Sequence, residues 1–287
     1  MFVTRTRRKK FMKFWKRAII TLALVLPVFV LAACGKSSSS SSKNETVKVG
    51  IMSTDKEIWT DIQSRLKKQG VTIKLVQFTD YNQPNQALED GDIQLNAFQH
   101  HNFLNNWNKK HNTKIADIGD TYIGPMRAYS NKIKSLKEVK QGDQISLPND
   151  PSNEGRALQL LAQNKLITLK KGVASPTIRD ITSNKLNLKF TELDAAQTAR
   201  SLNDVAVAVV NNDIAAAANL KPANAIAVEK ITSQSKPWVN FIAAKSSKDK
   251  NNATYKKIVK AYQTKRTAEL LKKVYKGSTL PAWNYKF

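Results

Sequence analysis

The stretch with the plainest chemical reading is Leu147-Pro148-Asn149-Asp150-Pro151-Ser152-Asn153-Glu154-Gly155-Arg156. Pro148 has no N–H for a sheet ladder, so a strand from Gln144 to Leu147 is expected to stop there. Asp150 is a good N-cap, and Pro151 suits the first helical position, where a missing N–H costs nothing. The helix then runs from Ser152 to Gln163. Ser152, Asn153 and Arg156 lie three or four apart and share one face of its first turns. That end has unpaired N–H groups and a positive partial charge, and Arg156 adds a planar fork shaped for a carboxylate. These residues form a candidate clamp for a small anionic group. The same residues also suit a capped surface helix carrying a solvated arginine, and the stretch alone leaves both readings open.

Other reactive residue types are few. The histidines, His100, His101 and His111, fall in one short segment. His100 and His101 are adjacent and point in different directions on a helix, while eleven residues of helix put His111 roughly 16 Å from His100. One ion cannot gather all three and no cysteine helps, so no metal site is expected. There is no G-x-S-x-G elbow, no H-E-x-x-H and no phosphate-binding glycine loop, so binding without chemistry or a cofactor is the simpler expectation.

The elements that would position the clamp alternate between strand and helix. Val47–Met52, 71–78, 92–95, 122–129, 143–147, 186–190, 205–210 and 239–244 read as strands. Helical spacing covers Ile58 to Leu66, Pro84 to Glu89, 101–110, 195–202, 211–219 and one long amphipathic stretch from Asn252 to Tyr275. Such alternation predicts an α/β protein with mostly parallel sheets. The late strand and long helix would complete a first lobe, giving a periplasmic-binding-protein-like body of two α/β lobes with a ligand cleft and two crossover hinge strands. Residues 46–128 plus 238–287 are expected to form lobe 1, and 129–237 lobe 2.

The N-terminus reads as an address. Residues 5–17 are basic, Ala18–Ala33 is uncharged and too short for an ordinary transmembrane helix, and Leu31-Ala32-Ala33-Cys34 follows. This resembles a lipoprotein signal peptide (1–33), with Cys34, the chain's only cysteine, lipidated. The start could be Met1 or Met12. Residues 34–45, with serines at 37–42, read as a flexible tether. A cell-membrane location on the extracytoplasmic face is expected. The net charge of +25 falls to +17 without the eight basic residues of 1–33. The remaining lysines are dispersed and not interleaved with aromatics, which speaks against nucleic acid and for a solvated basic surface.

Several longer motifs occur in order: Phe78-Thr79-Asp80-Tyr81 with Pro84-Asn85-Gln86-Ala87-Leu88; Gly91-Asp92-Ile93; Asn96-Ala97-Phe98-Gln99-His100; Tyr122-Ile123-Gly124-Pro125; the 148–156 stretch; Arg200-Ser201-Leu202; and Ala208-Val209-Val210-Asn211. From Val47 to Trp283 the chain resembles the NlpA family of lipoproteins, the methionine-binding (MetQ-type) solute-binding proteins of ABC importers. The resemblance implies a monomeric binding protein that delivers L-methionine, or a related small zwitterion, to a permease driven by an ATPase. For such a ligand Arg156 with Asn153 would take the carboxylate. The Asn211 side-chain oxygen would accept from the ammonium. Tyr81, Phe98 and Tyr122 would wall the thioether, with His100 near the sulfur. Taken alone, the aromatics suit a core or rim and Asn211 a plain helix cap; the resemblance is what assigns them to a site.

One departure stands out. Where the family usually carries a Thr-Tyr-Ala-type run after Asn211, this chain has Asn212-Asp213-Ile214-Ala215. Asp213 is either an extra carboxylate beside the ammonium pocket or an early-helix acid favoured by the dipole. D-methionine, a methionine-containing dipeptide or another apolar amino acid remain alternatives. So does a surface adhesin using the basic face, whose binding would fall steeply with salt where cleft binding of a zwitterion would not.

Overall fold

A computed structural model describes residues 45–287. The signal peptide, Cys34 and the serine tether expected from the sequence lie outside the described residues. In chain order come β1 (Glu45–Met52), α1 (Lys56–Lys67), β2 (Val71–Phe78), α2 (Pro84–Asp90), β3 (Leu95–Ala97), α3 (His101–His111), β4 (Ala116–Asp120), β5 (Tyr122–Ile123) and β6 (Arg127–Tyr129). β7 (Gln144–Pro148), α4 (Pro151–Gln163), β8 (Thr168–Leu169), β9 (Ile181–Ser183), β10 (Lys189–Leu193), α5 (Ala195–Thr198) and β11 (Val207–Val210) follow. The chain ends with α6 (Asn212–Ala217), β12 (Ala227–Val228), β13 (Phe241–Ala244), α7 (Ala253–Tyr262), α8 (Lys265–Val274) and β14 (Leu280–Pro281).

Two five-stranded sheets carry the two lobes, in the orders β2-β1-β3-β13-β4 and β10-β7-β11-β6-β12. In the first, β1 runs parallel to β2 and β3, whereas β13 is antiparallel to both its neighbours. The second repeats the plan: β7 is parallel to β10 and β11, and β6 is antiparallel to both its neighbours. The sheets are therefore evenly mixed, not mostly parallel. The physical reason is the crossing itself: β6 and β13 each follow a crossover from the other lobe and enter their sheets in the reverse sense.

β1 shows why the sequence folds this way. Val47, Val49 and Ile51 alternate into the core beneath α1, as a strand's two-residue period requires. On the other face a Cβ at Gly50 would lie 2.6 Å from Ile93 Cδ1 and 2.9 Å from a Phe78 ring carbon, so only glycine fits. Helix α1 buries Ile58, Trp59, Ile62 and Leu66, its apolar stripe facing one way, and Trp59 packs on Tyr262 of α7 with ring centroids 5.4 Å apart.

Several elements differ from expectation. The long C-terminal helix is two: Gln263 leaves the helical region at φ −77°, ψ 62°, and Thr264 caps α8 by accepting from the Thr267 N–H at 3.2 Å. Apolar spacing continues across the break because Ile258, Tyr262, Leu271 and Tyr275 all enter one core. The single strand expected over 122–129 is broken at Gly124-Pro125, leaving β5 paired with β14 while β6 joins the second sheet. Strand β4 was not anticipated; every one of its residues is only half-buried. The strand expected over 92–95 lies at Leu95–Ala97, and that over 186–190 at Lys189–Leu193.

The chain passes between the sheets at 121–126 and 229–240. The two crossings are bonded side by side: the Thr121 N–H donates to the Asn240 carbonyl and the Asn240 N–H to the Tyr122 carbonyl, both at 2.8 Å. No helix among the described residues is long and apolar enough to cross a membrane.

Candidate functional site

A cavity beside this paired crossing gathers all seven residues singled out in the sequence: Tyr81, Phe98, His100, Tyr122, Asn153, Arg156 and Asn211. It is a slot of about 400 Å³, part of which opens to solvent.

The head of α4 is built as its sequence suggests. Asp150 caps the helix by accepting from the Asn153 N–H at 3.0 Å, and its other oxygen accepts from Asn153 Nδ2 at 2.8 Å. With Nδ2 committed, Asn153 Oδ1 turns inward and accepts from Asn211 Nδ2 at 2.7 Å. Asn211 Oδ1 is thereby left buried with no partner. Asn211 stands at the N-cap position of α6 but makes no side-chain cap bond, so its amide serves the cavity. His100 caps α3: its Nδ1 accepts from the Phe103 N–H at 3.1 Å, and Nε2 lies 3.2 Å from Asn153 Oδ1. An acceptor there fixes the proton on Nε2. Burial, then the positive charge of Arg156, pushes His100 down to about 3, so its ring is neutral.

Arg156 is 3% exposed, which removes the solvated-arginine reading. Its fork, however, is already engaged. Nε donates to Glu229 Oε1 at 2.8 Å, Nη2 to Glu229 Oε2 at 2.5 Å and to the Gly124 carbonyl at 3.0 Å. The guanidinium also lies 4.9 Å from the centre of the Trp238 ring. The two-pronged grip expected on a ligand carboxylate is thus spent on Glu229, and Nη1 is the nitrogen without a partner among the described residues.

Two further carboxylates lie buried at the site. Asp213, in the first turn of α6, accepts from the Tyr81 hydroxyl at 2.6 Å through Oδ1, while Oδ2 is buried and unpartnered. Burial raises its pKa, and the Tyr81 bond and nearby backbone N–H groups partly offset that. Asp55 accepts from the Tyr275 hydroxyl at 2.7 Å, and Tyr275 is 3.0 Å from the hydroxyl of Tyr122 on the cavity wall. Burial drives Asp55 up to about 7 against the bond from Tyr275, with Asp213 pushing the same way as burial. Asn212 Nδ2 is a buried donor without a partner; its Oδ1 is held by Arg127 and Ser278.

The apolar wall is a ring cluster. Tyr81 and Phe98 have centroids 6.0 Å apart, and Phe103 meets both edge-on at 6.1 and 5.6 Å. Phe103, Asn212, Glu229 and Trp238 were not among the expected site residues, whereas Asp213 was placed beside the ammonium pocket as one of two readings of the run after Asn211. Phe103 had a signal, since α3 presents it one turn after His100. Glu229, 73 residues from Arg156, had none.

One grouping was not visible from the histidines alone: His101, Asp117 and Asp120 bring possible ligand atoms within 4.8 Å of one another. Lys250 lies 3.2 Å from Asp117 and already supplies a cation there.

Two α/β lobes with a polar-ended aromatic slot at a paired crossover are the architecture of a periplasmic-type solute-binding protein. The family model for NlpA lipoprotein matches residues 47–283, and the chain belongs to that family. It is 37% identical over 276 residues to the probable D-methionine-binding lipoprotein MetQ of Vibrio cholerae, covering 95% of this chain and 100% of that one. Among solved structures, a nutrient binding protein from Burkholderia cenocepacia bound to methionine is 45% identical with a TM-score of 0.78, covering 82% of this chain and 99% of that one. The substrate binding protein of a methionine transporter from Streptococcus pneumoniae is 40% identical with a TM-score of 0.79, covering 83% and 96%.

Proposed function

We propose that this chain is the substrate-binding lipoprotein of an ABC importer, capturing methionine in the interlobe slot and delivering it to a membrane permease. One observation carries the reading: buried polar atoms of opposite sense stand unpartnered around one narrow cavity. Asn211 Oδ1 and Asp213 Oδ2 are free acceptors, and Asn212 Nδ2 is a free donor. Buried polar groups normally find partners, and an α-amino acid supplies both an ammonium and a carboxylate to these atoms. Arg156 Nη1 adds a charged donor at the acid end. Tyr81, Phe98 and Phe103 give the slot the polarizable walls that a thioether favours. In this reading Tyr81, Phe98, His100, Tyr122, Asn153, Arg156 and Asn211 are the ligand-binding residues, with His100 and Asn153 acting chiefly by orienting Asn211. The lobes divide at the two crossings, 121–126 and 229–240, and open about them. Cys34 carries the lipid that holds the protein on the extracytoplasmic face. Relatives named for D-methionine and for methionine support the ligand class.

The test is mass spectrometry of small molecules released from the purified protein, followed by calorimetry against both enantiomers of methionine. The expected result is one-to-one binding whose affinity changes little between low and high salt. No binding of either enantiomer at millimolar concentration would overturn the proposal.

A further inference from the structure

The charges around the slot are not balanced between its two ends. At the acid end the Arg156 guanidinium is met by the Glu229 carboxylate through both Nε and Nη2, so that buried pair is neutral as a unit. His100 is neutral as well. At the amine end Asp213 Oδ2 and Asn211 Oδ1 lie unpartnered, on residues 8% and 6% exposed. Both are held in place. Asp213 is fixed through Oδ1 by the Tyr81 hydroxyl, and Asn211 by Asn153, itself tied to Asp150. Neither acceptor can rotate toward another partner without breaking a bond already made. Among the described residues Asp213 makes no ion pair, and the cation whose charge reaches it, Arg156, is already paired with Glu229.

We propose that Asp213 makes the ligand's ammonium the dominant recognition element, so that the site takes primary amines with a slender apolar tail and treats the carboxylate as secondary. This rests on the amino-acid reading of the slot given above. An ammonium has three donors and no acceptor; Asp213 Oδ2 and Asn211 Oδ1 take two of them, one bond being charge-assisted and therefore the stronger kind. A ligand carboxylate, by contrast, meets a guanidinium whose charge Glu229 already offsets.

Three ligands of nearly equal size separate the ends: methionine, its decarboxylated form (methylthiopropylamine) and its deaminated form (methylthiobutanoate). Calorimetry on the wild-type protein is expected to show the amine losing about tenfold relative to methionine and the acid about a hundredfold or more. Asp213→Asn is expected to weaken methionine and the amine by about ten- to hundredfold while leaving the acid unchanged. Asp213→Thr, compact and uncharged, gives a second variant if the asparagine disturbs Tyr81. A wild-type protein that binds methionine yet prefers the acid to the amine overturns this inference alone, as does an Asp213 variant with undiminished affinity. A wild-type protein that binds none of the three overturns the amino-acid reading and this inference with it.

Discussion

Replacing Arg156 with alanine should cost far more stability than its place on a capped helix suggests. A solvated arginine there would be worth within about 0.5 kcal/mol. In the structure Arg156 and Glu229 are 3% and 9% exposed at their side chains, and Glu229 Oε2 also accepts from the Met126 N–H at 3.0 Å. Arg156→Ala strips the partner from a buried carboxylate and leaves the Gly124 carbonyl without its donor. Breaking one side of a buried pair costs about 3–5 kcal/mol, which in a chain of this size lowers the melting temperature by about 6–20 °C. The cost comes from the stranded charge, so a second change that neutralises it should return part of the loss. Arg156→Met with Glu229→Gln keeps an acceptor for Met126 and removes both charges. The double variant is expected to be more stable than the sum of the single changes by about 2 kcal/mol or more. Urea and thermal denaturation without methionine, followed by circular dichroism, measure both quantities. An Arg156→Ala protein that melts with the wild type, or a cycle with no coupling, would refute the buried-pair argument.

Asp55 predicts a pH effect of definite sign. Its folded-state value of about 7 lies above the ordinary 3.8, so the folded protein holds the proton more tightly and stability is lost as pH rises from there through 7. Asp55→Asn should then match the wild type near pH 4 and exceed it near pH 8 by a few kcal/mol, since each pH unit separating the two values is worth roughly 1.4 kcal/mol; equal melting curves at pH 8 would contradict this. His100 acts in the opposite sense, since a value of about 3 makes the unfolded chain the better proton acceptor and removes stability as pH falls below about 6.5. His100→Gln should flatten the acid limb of the stability profile. Gly124→Ala would place a Cβ 2.9 Å from Asn212 Cβ and 3.1 Å from its Nδ2. It should cost about 1–3 kcal/mol and weaken methionine by displacing the start of α6, as denaturation and calorimetry would report.

Much of the site was legible because its chemistry is local to short segments. Asp150, Pro151 and Asn153 announce a capped helix whatever follows, and the cap then sets the direction of Asn153. Asn211 was legible as the end of a strand, though not the chain of bonds that leaves its oxygen free. What was hidden depends on contacts distant in sequence. Nothing near Glu229 marks it as the partner of Arg156, so the fork was assigned to the ligand. The break at Gln263 was masked because the buried residues on both sides keep helical spacing. Strand β4 escaped because its residues, Ala-Asp-Ile-Gly-Asp, lack the apolar alternation of a buried strand; it pairs only with β13 at the sheet's edge. The antiparallel members of each sheet follow from how the chain re-enters a lobe, a property of topology that strand patterns do not encode.

The central claim is that Asn211 Oδ1 and Asp213 Oδ2 are left free for an ammonium at one end of an aromatic slot. A crystal structure of the protein with methionine tests it most directly. The account predicts the ligand nitrogen within about 2.7–3.2 Å of both oxygens, with the thioether among Tyr81, Phe98 and Phe103. A methionine seated the other way round, with its nitrogen toward Arg156 and both oxygens still unpartnered, would contradict it.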